Sequence, residues 1–118
     1  WEICTLGDPL ADLAYALNQW ALPDDPTPGR DNAATALSGF PSREVLAELY
    51  AEKTGRDLSY LKYYTAFNWC KSAMIIHGVY ARYCEGKKAT TGVDMNDLRD
   101  RIGRCISLAD DALVEIKT

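Results

Sequence analysis

Residues 1–20 read WEICTLGDPLADLAYALNQW, and this stretch decides the fold. Asp8 followed by Pro9 is a strong helix start. An aspartate at the N-cap accepts one orphan backbone N–H, and a proline at the first helical position loses nothing by lacking its own. Leu10, Leu13, Ala14, Leu17 and Trp20 then recur at three- and four-residue intervals, so one face of the helix is apolar and turns inward. Capping accounts for Asp8. Asp12, one turn further in beside so apolar a stripe, is either a solvated residue favoured by the helix dipole or an acceptor for backbone N–H groups of a neighbouring loop. Residues 1–6 are short, apolar and mixed, consistent with the end of a strand or the loop leaving one, though a strand here lacks evident partners.

Beyond the first helix, Pro23, Pro26 and Pro28 with Asp24, Asp25, Gly29 and Arg30 break any regular period, so residues 21–39 read as a long surface connection. Ser42 precedes Val45, Leu46, Leu49 and Tyr50, spaced for one face of a second helix that ends at Gly55. Asp57 or Ser59 then caps a long third helix running to about Glu85, before Gly86. Leu61, Tyr64, Phe67, Cys70, Met74, Val79 and Tyr83 lie along one side of it. Ala66, Ala73, Ile75, Ile76 and Tyr80 widen that stripe until little of its middle is polar, so it reads as a buried core helix. Residues 85–92 form an aperiodic connector. From Asp94, the positions Leu98, Ile102, Cys105, Ile106, Ala109 and Leu113 mark the seam of an amphipathic fourth helix, weakened slightly by Gly103. The expectation is an all-α chain, one helical subdomain over residues 1–118, with the first and third helices at its centre and the second and fourth covering them.

At 118 residues the chain is long enough for one core and not two. A net charge of −4 and a pI near 4.9 supply no basic field for phosphate backbones, which argues against nucleic acid as a partner. No apolar run approaches the ~20 residues of a membrane span, and no basic segment leads into a hydrophobic one at the N-terminus. A cytoplasmic location without membrane attachment is therefore expected. Cys4, Cys70, Cys84 and Cys105 include no CxxC pair, and the chain has no histidine at ligand spacing, so no zinc site is expected and the thiols read as reduced. Cys70 and Cys84 share one helix about 20 Å apart at ~1.5 Å rise per residue, beyond disulfide reach. Cys70 and Cys105 sit among apolar residues and read as small hydrophobes.

Trp1 and Glu2, then Thr5, Leu6, Gly7, Asp8, Pro9, Leu10, Ala11, Asp12, Leu13 and Ala14, resemble the segment WE…TLGDPLADLA of the aminoglycoside phosphotransferase and choline kinase-like family. The likeness is to the subgroup found as stand-alone bacterial phosphotransferases and fused to acyl-CoA dehydrogenases. It continues through Gly39, Phe40, Pro41 and Ser42, through Tyr50, Thr54, Gly55 and Arg56, and through Gly78, Val79, Tyr80, Ala81, Arg82 and Tyr83, covering nearly the whole chain. The resemblance implies a protein-kinase-like fold, of which this is the C-terminal helical part. It implies ATP and Mg2+ as cofactors of the parent enzyme, and a small-molecule hydroxyl acceptor as its substrate. In that family the catalytic aspartate lies in an upstream HGD-type loop, and a metal-binding aspartate immediately precedes the tryptophan matching Trp1. The sequence contains neither, and reads as cut one residue after the metal ligand. The connection over residues 21–39 would lie near the acceptor cleft.

Phosphoryl transfer needs a group to orient the acceptor hydroxyl, carboxylates for magnesium, and a phosphate-covering loop with a lysine. The chain has no GxGxxG and no GxxxxGK[ST], so no catalytic residue and no metal ligand is assigned within it. Glu2, two positions beyond the family's metal aspartate, reads either as a residue that holds the metal's own ligands or binds the ion weakly through an oxygen, or as an ordinary loop acid. The kinase resemblance gives Asp12 the role of a buried acceptor clamping the catalytic loop, against the alternative of a solvated helical residue. His77 reads as a core or cleft histidine satisfied by one hydrogen bond, or as a wall of the acceptor pocket with Trp20, Trp69 and Tyr80, whose rings suit small polar or cationic ligands. No GxSxG elbow and no activated cysteine offers a nucleophile. Two functions follow: the acceptor-side portion of a phosphotransferase, inactive by itself and prone to self-associate through the face its remainder would cover; or an independent helical interaction or dimerisation module.

Overall fold

A computed structural model of the chain describes residues 4–23, 25 and 33–117. Within them the chain is all-α: helices α1 (Pro9–Gln19), α2 (Arg43–Thr54), α3 (Leu61–Cys84) and α4 (Met95–Lys117), with one 3₁₀ turn at Ala34–Ala36. No strand occurs among the described residues; residues 4–8 have no regular structure, and residues 1–3 lie outside the described part.

Local chemistry sets the helix ends. Asp8 is the N-cap of α1, its carboxylate accepting the Leu10 amide at 2.9 Å. Ser42 caps α2 by accepting the Val45 amide at 3.3 Å. Gly55 ends that helix at φ 67°, a left-handed conformation that a Cβ would penalise. Ahead of α3, Asp57 accepts the Ser59 amide at 2.9 Å within the preceding turn; the helix itself begins at Leu61, so neither Asp57 nor Ser59 is its N-cap as expected. Asp94 accepts the amides of Asn96 and Asp97 at 2.9 and 3.1 Å, satisfying two orphan donors at the start of α4.

The chain divides into two compact units, one ending at Thr65 and the other beginning at Ala66. In the first, Leu10, Ala14, Leu17 and Ala21 are buried, the inward face expected from their spacing. Asn18 is buried on the same helix, and its amide nitrogen donates to the Thr65 carbonyl at 3.1 Å, which satisfies a group that would otherwise be costly to bury. No residue of α2 is buried. Its four adjacent apolar positions were expected on one inward face, yet Val45 and Leu49 are 51% and 47% exposed. Leu46 and Tyr50 alone are half-buried, because the apolar arc is wider than the strip that is covered.

In the second unit Trp69 and Ala73 of α3 pack with Cys105 and Ala109 of α4, bordered by Ile76, Ile102 and Leu108. The buried seam of α4 runs through Cys105, Ala109 and Ala112, while Ile106 and Leu113, expected in it, are exposed. The expectation that α3 is buried on most sides also fails. Phe67 is 52% and Met74 68% exposed, and Ile75, Cys70 and His77 are exposed as well. One neighbouring helix in this unit covers one stripe of a helix that is apolar nearly all round, and the remaining stripe faces outward. Cys105 is the buried small hydrophobe expected of it; Cys70 is exposed, and none of the four cysteines forms a disulfide.

Candidate functional site

The polar chemistry of the first unit gathers at the two ends of α1. At its C-terminal end, the Arg43 Nε–H is shared between the carbonyl of Leu17 at 3.1 Å, which also accepts the Trp20 amide, and that of Trp20 at 2.8 Å. The same guanidinium reaches Asp25 through Nη2 at 2.5 Å, and the Asp25 side chain is almost fully covered. The Trp20 indole N–H donates to the Pro41 carbonyl at 3.0 Å, and its ring meets Phe40 edge to face with centroids 5.9 Å apart. The Ala21 amide donates to the Thr35 hydroxyl at 3.0 Å. Trp20, expected in an acceptor cleft, therefore has its polar edge engaged by the segment leading into α2.

At the N-terminal end, Asp8 does more than cap: its second carboxylate oxygen accepts the Tyr64 phenol. That bond, with the Leu10 amide second, holds the Asp8 carboxyl below its ordinary range, and the same bond pushes the Tyr64 phenol above its own. Glu44, at the start of α2, is lowered chiefly by a backbone N–H and then by the Ser42 hydroxyl. Asp12 is exposed in this chain, whose sequence does not include the catalytic loop that the kinase resemblance would have it clamp. A first-turn aspartate is stable in water because the N-terminal end of the dipole favours its charge. Glu2 falls outside the described residues.

In the second unit Trp69 is a core residue, 7% exposed, so it does not line an open acceptor pocket here. Tyr80 is half-buried, and its hydroxyl accepts from Arg99 at 3.4 Å, which is the leading cause of a raised Arg99 value. His77 is exposed, which removes the core alternative of its reading and leaves the cleft one. Trp69 and Tyr80 point to the same side of α3 but are separated by about 16 Å along its axis at ~1.5 Å per residue, too far to grip one small ligand together. Among the described residues no three His, Cys, Asp or Glu side chains converge as a metal ion would need. No helix among them is long and apolar enough to cross a membrane. Sequence reasoning missed Arg43, Asn18 and Tyr64. Only Asn18 left a signal, as an amide beside the apolar stripe of its helix.

The chain is similar to one region of much longer proteins. It is 34% identical to acyl-CoA dehydrogenase family member 10 of Mus musculus over 94 residues, 76% of this chain and 9% of that protein. It is 32% identical to acyl-CoA dehydrogenase family member 11 of Homo sapiens over 92 residues, 76% of this chain and 12% of that protein. The corresponding Gallus gallus protein is 35% identical over 91 residues, 73% of this chain and 12% of the relative. The chain thus spans about a tenth of the length of these curated relatives. No family model matches it, and no solved structure matches it.

Proposed function

We propose that the chain is the acceptor-side helical part of an ATP-dependent small-molecule phosphotransferase, whose nucleotide and magnesium chemistry is carried by other residues of a longer protein. One observation carries this reading. The segment around Asp8–Pro9 resembles the phosphotransferase subgroup that occurs fused to acyl-CoA dehydrogenases, and the relatives matched over about three quarters of this chain bear acyl-CoA dehydrogenase names. The all-α architecture agrees with the helical part of a kinase-like fold.

The described residues do not fit ATP or magnesium by themselves. Magnesium takes several oxygen ligands at once, and no carboxylate cluster of that kind is formed among them. The sequence also has no Gly-rich phosphate loop. On this reading the 118-residue chain is catalytically silent, acts in the cytoplasm, and contributes shape and support to the acceptor side. An upstream-extended product, assayed with ATP, magnesium and a panel of aminoglycosides, choline-like amines, sugars and hydroxyacyl compounds, tests it. Magnesium-dependent ATP turnover with at least one acceptor is expected; silence across the panel rejects the reading.

A second reading, an independent helical interaction module, is favoured by one specific feature. Phe67, Met74 and Ile75 leave α3 with a broad apolar face exposed, and single scattered hydrophobes do not account for three large ones on one helix.

A further inference from the structure

All 17 acidic residues of the chain lie outside α3, whose sequence LKYYTAFNWCKSAMIIHGVYARYC carries Lys62, Lys71 and Arg82 and no carboxylate. In a protein of net charge −4 this helix is a basic exception. Phe67, Lys71, Met74, Ile75, Gly78 and Arg82 fall within about 100° of its circumference at 3.6 residues per turn, and all six are exposed. Nothing lies within 4 Å of where a Cβ on Gly78 would stand, so the middle of this face holds a notch open to a ridge from another helix.

The opposite pattern stands on α2. Val45 and Leu49 are exposed one turn apart, and Glu44, Glu48 and Glu52 run along one edge of them, all exposed. Like charges at i, i+4 repel within a helix, a cost that a basic neighbour relieves. We infer that the chain self-associates by laying α2 of one copy along the basic apolar face of α3 of another, with Val45 and Leu49 between Phe67, Met74 and Ile75, and the glutamates toward Lys71 and Arg82. The inference rests on the interaction-module reading and names its surfaces and its partner. Other pairings match less well. Two α3 faces oppose Lys71 and Arg82 to themselves, and two α2 faces oppose glutamates to glutamates. The α4 helix mixes signs along its length, with Arg99, Arg101 and Arg104 among Asp97, Asp100 and Asp110. Because the two patches differ, association is free to grow beyond a dimer, so the full mass distribution is the quantity to read.

Sedimentation velocity of the 118-residue chain at rising concentration, in low and high salt, tests this, with two charge-reversed variants: E44K/E48K/E52K, and K71E/R82E. The wild type is expected to associate, less so in high salt. Each variant alone is expected to associate at least about tenfold more weakly, since its own faces now repel. An equimolar mixture of the two is expected to recover association, because every α2–α3 pairing between the variants is again of opposite sign. Recovery also shows that both variants are folded, and far-UV circular dichroism checks each alone. A wild type that stays monomeric at its highest soluble concentration overturns the inference, and leaves the interaction-module reading standing only for a different partner. Association that persists unchanged in both variants, or that D110K/D111K on α4 abolishes instead, overturns the inference and leaves that reading standing.

Discussion

Tyr64 donates its phenolic O–H to the carboxylate of Asp8, the residue that also caps α1 by accepting the Leu10 amide. One side chain thus ties the start of α1 to the start of α3, which lies 56 residues away in sequence. The bond lowers the Asp8 value and raises that of Tyr64. A lowered carboxylate contributes stability that is present above the ordinary carboxylate range and is lost as pH falls through the lowered value. A raised phenol contributes below the ordinary tyrosine range and loses its contribution as pH rises through the raised value. Tyr64→Phe removes the larger of the two bonds to Asp8, so the Asp8 titration midpoint, read from its carboxyl carbon by NMR, should move up toward the ordinary range. An unmoved midpoint contradicts the assignment.

Arg43 spans 26 residues of sequence to reach Leu17, 23 to reach Trp20 and 18 to reach Asp25. Arg43→Ala takes a donor from the Trp20 carbonyl and a second one from the Leu17 carbonyl, which keeps the Trp20 amide, and strips the covered Asp25 carboxylate of this cation; together this should cost about 2 kcal/mol, less than a fully buried pair because the arginine is 30% exposed. Arg43→Lys keeps the charge but lacks the planar fork, so it should recover less than about half of the loss. Urea denaturation of the three proteins measures both steps, and equal stability of Arg43→Ala and wild type rejects the role.

These two contacts mark the boundary of what the sequence discloses. Caps are local, so Asp8–Pro9, Ser42, Gly55 and Asp94 announce the helices from neighbours two or three residues away, and all four ends fall where the residues place them. Partners chosen across tens of residues, such as Arg43 with Leu17 or Asp8 with Tyr64, leave no periodic trace. Sidedness is lost for a different reason. In α3, Phe67 and Trp69 are equally apolar and two residues apart, yet one is half exposed and the other is core. A helix hydrophobic around most of its girth does not say which stripe a neighbour covers. That ambiguity left His77 between the core and a cleft and set Trp69 beside it as a candidate pocket wall, whereas Trp69 is core and His77 is exposed.

Trp69→Ala should remove about 3–5 kcal/mol from the second unit, the ordinary cost of deleting a buried aromatic packed on Ala73, Cys105 and Ala109. His77→Ala, at an exposed position, should stay within about 0.5 kcal/mol of wild type. Thermal unfolding followed by circular dichroism separates them. Similar small effects at both positions would mean that Trp69 is not a core residue.

Asp12 separates support of catalysis from stability. Being exposed, it should tolerate alanine in the 118-residue chain within about 0.5 kcal/mol. In an upstream-extended phosphotransferase, Asp12→Ala should lower kcat with little change in acceptor KM, since a loop clamp acts on the geometry of transfer rather than on substrate binding. A turnover number equal to wild type removes Asp12 from the catalytic support.

Two glycines without neighbours should respond to alanine in opposite directions. A Cβ at Gly55 or at Gly78 would meet nothing within 4 Å, so sterics with surrounding residues decide neither case and the backbone decides both. Gly55 closes α2 at φ 67°, where an L side chain is strained, and Gly55→Ala should cost about 1 kcal/mol. Gly78 lies inside α3, and it is absent from the glycines of positive φ. Alanine loses less backbone entropy there, so Gly78→Ala should stabilise the isolated chain by about 0.5–1 kcal/mol. At a concentration where copies associate, the same methyl would stand in the notch that receives Val45 and Leu49. Gly78→Ala should therefore melt higher than wild type when dilute and associate more weakly when concentrated. A variant that gains stability and associates as strongly as wild type would leave Gly78 a solvent-facing glycine and move the contact elsewhere on α3.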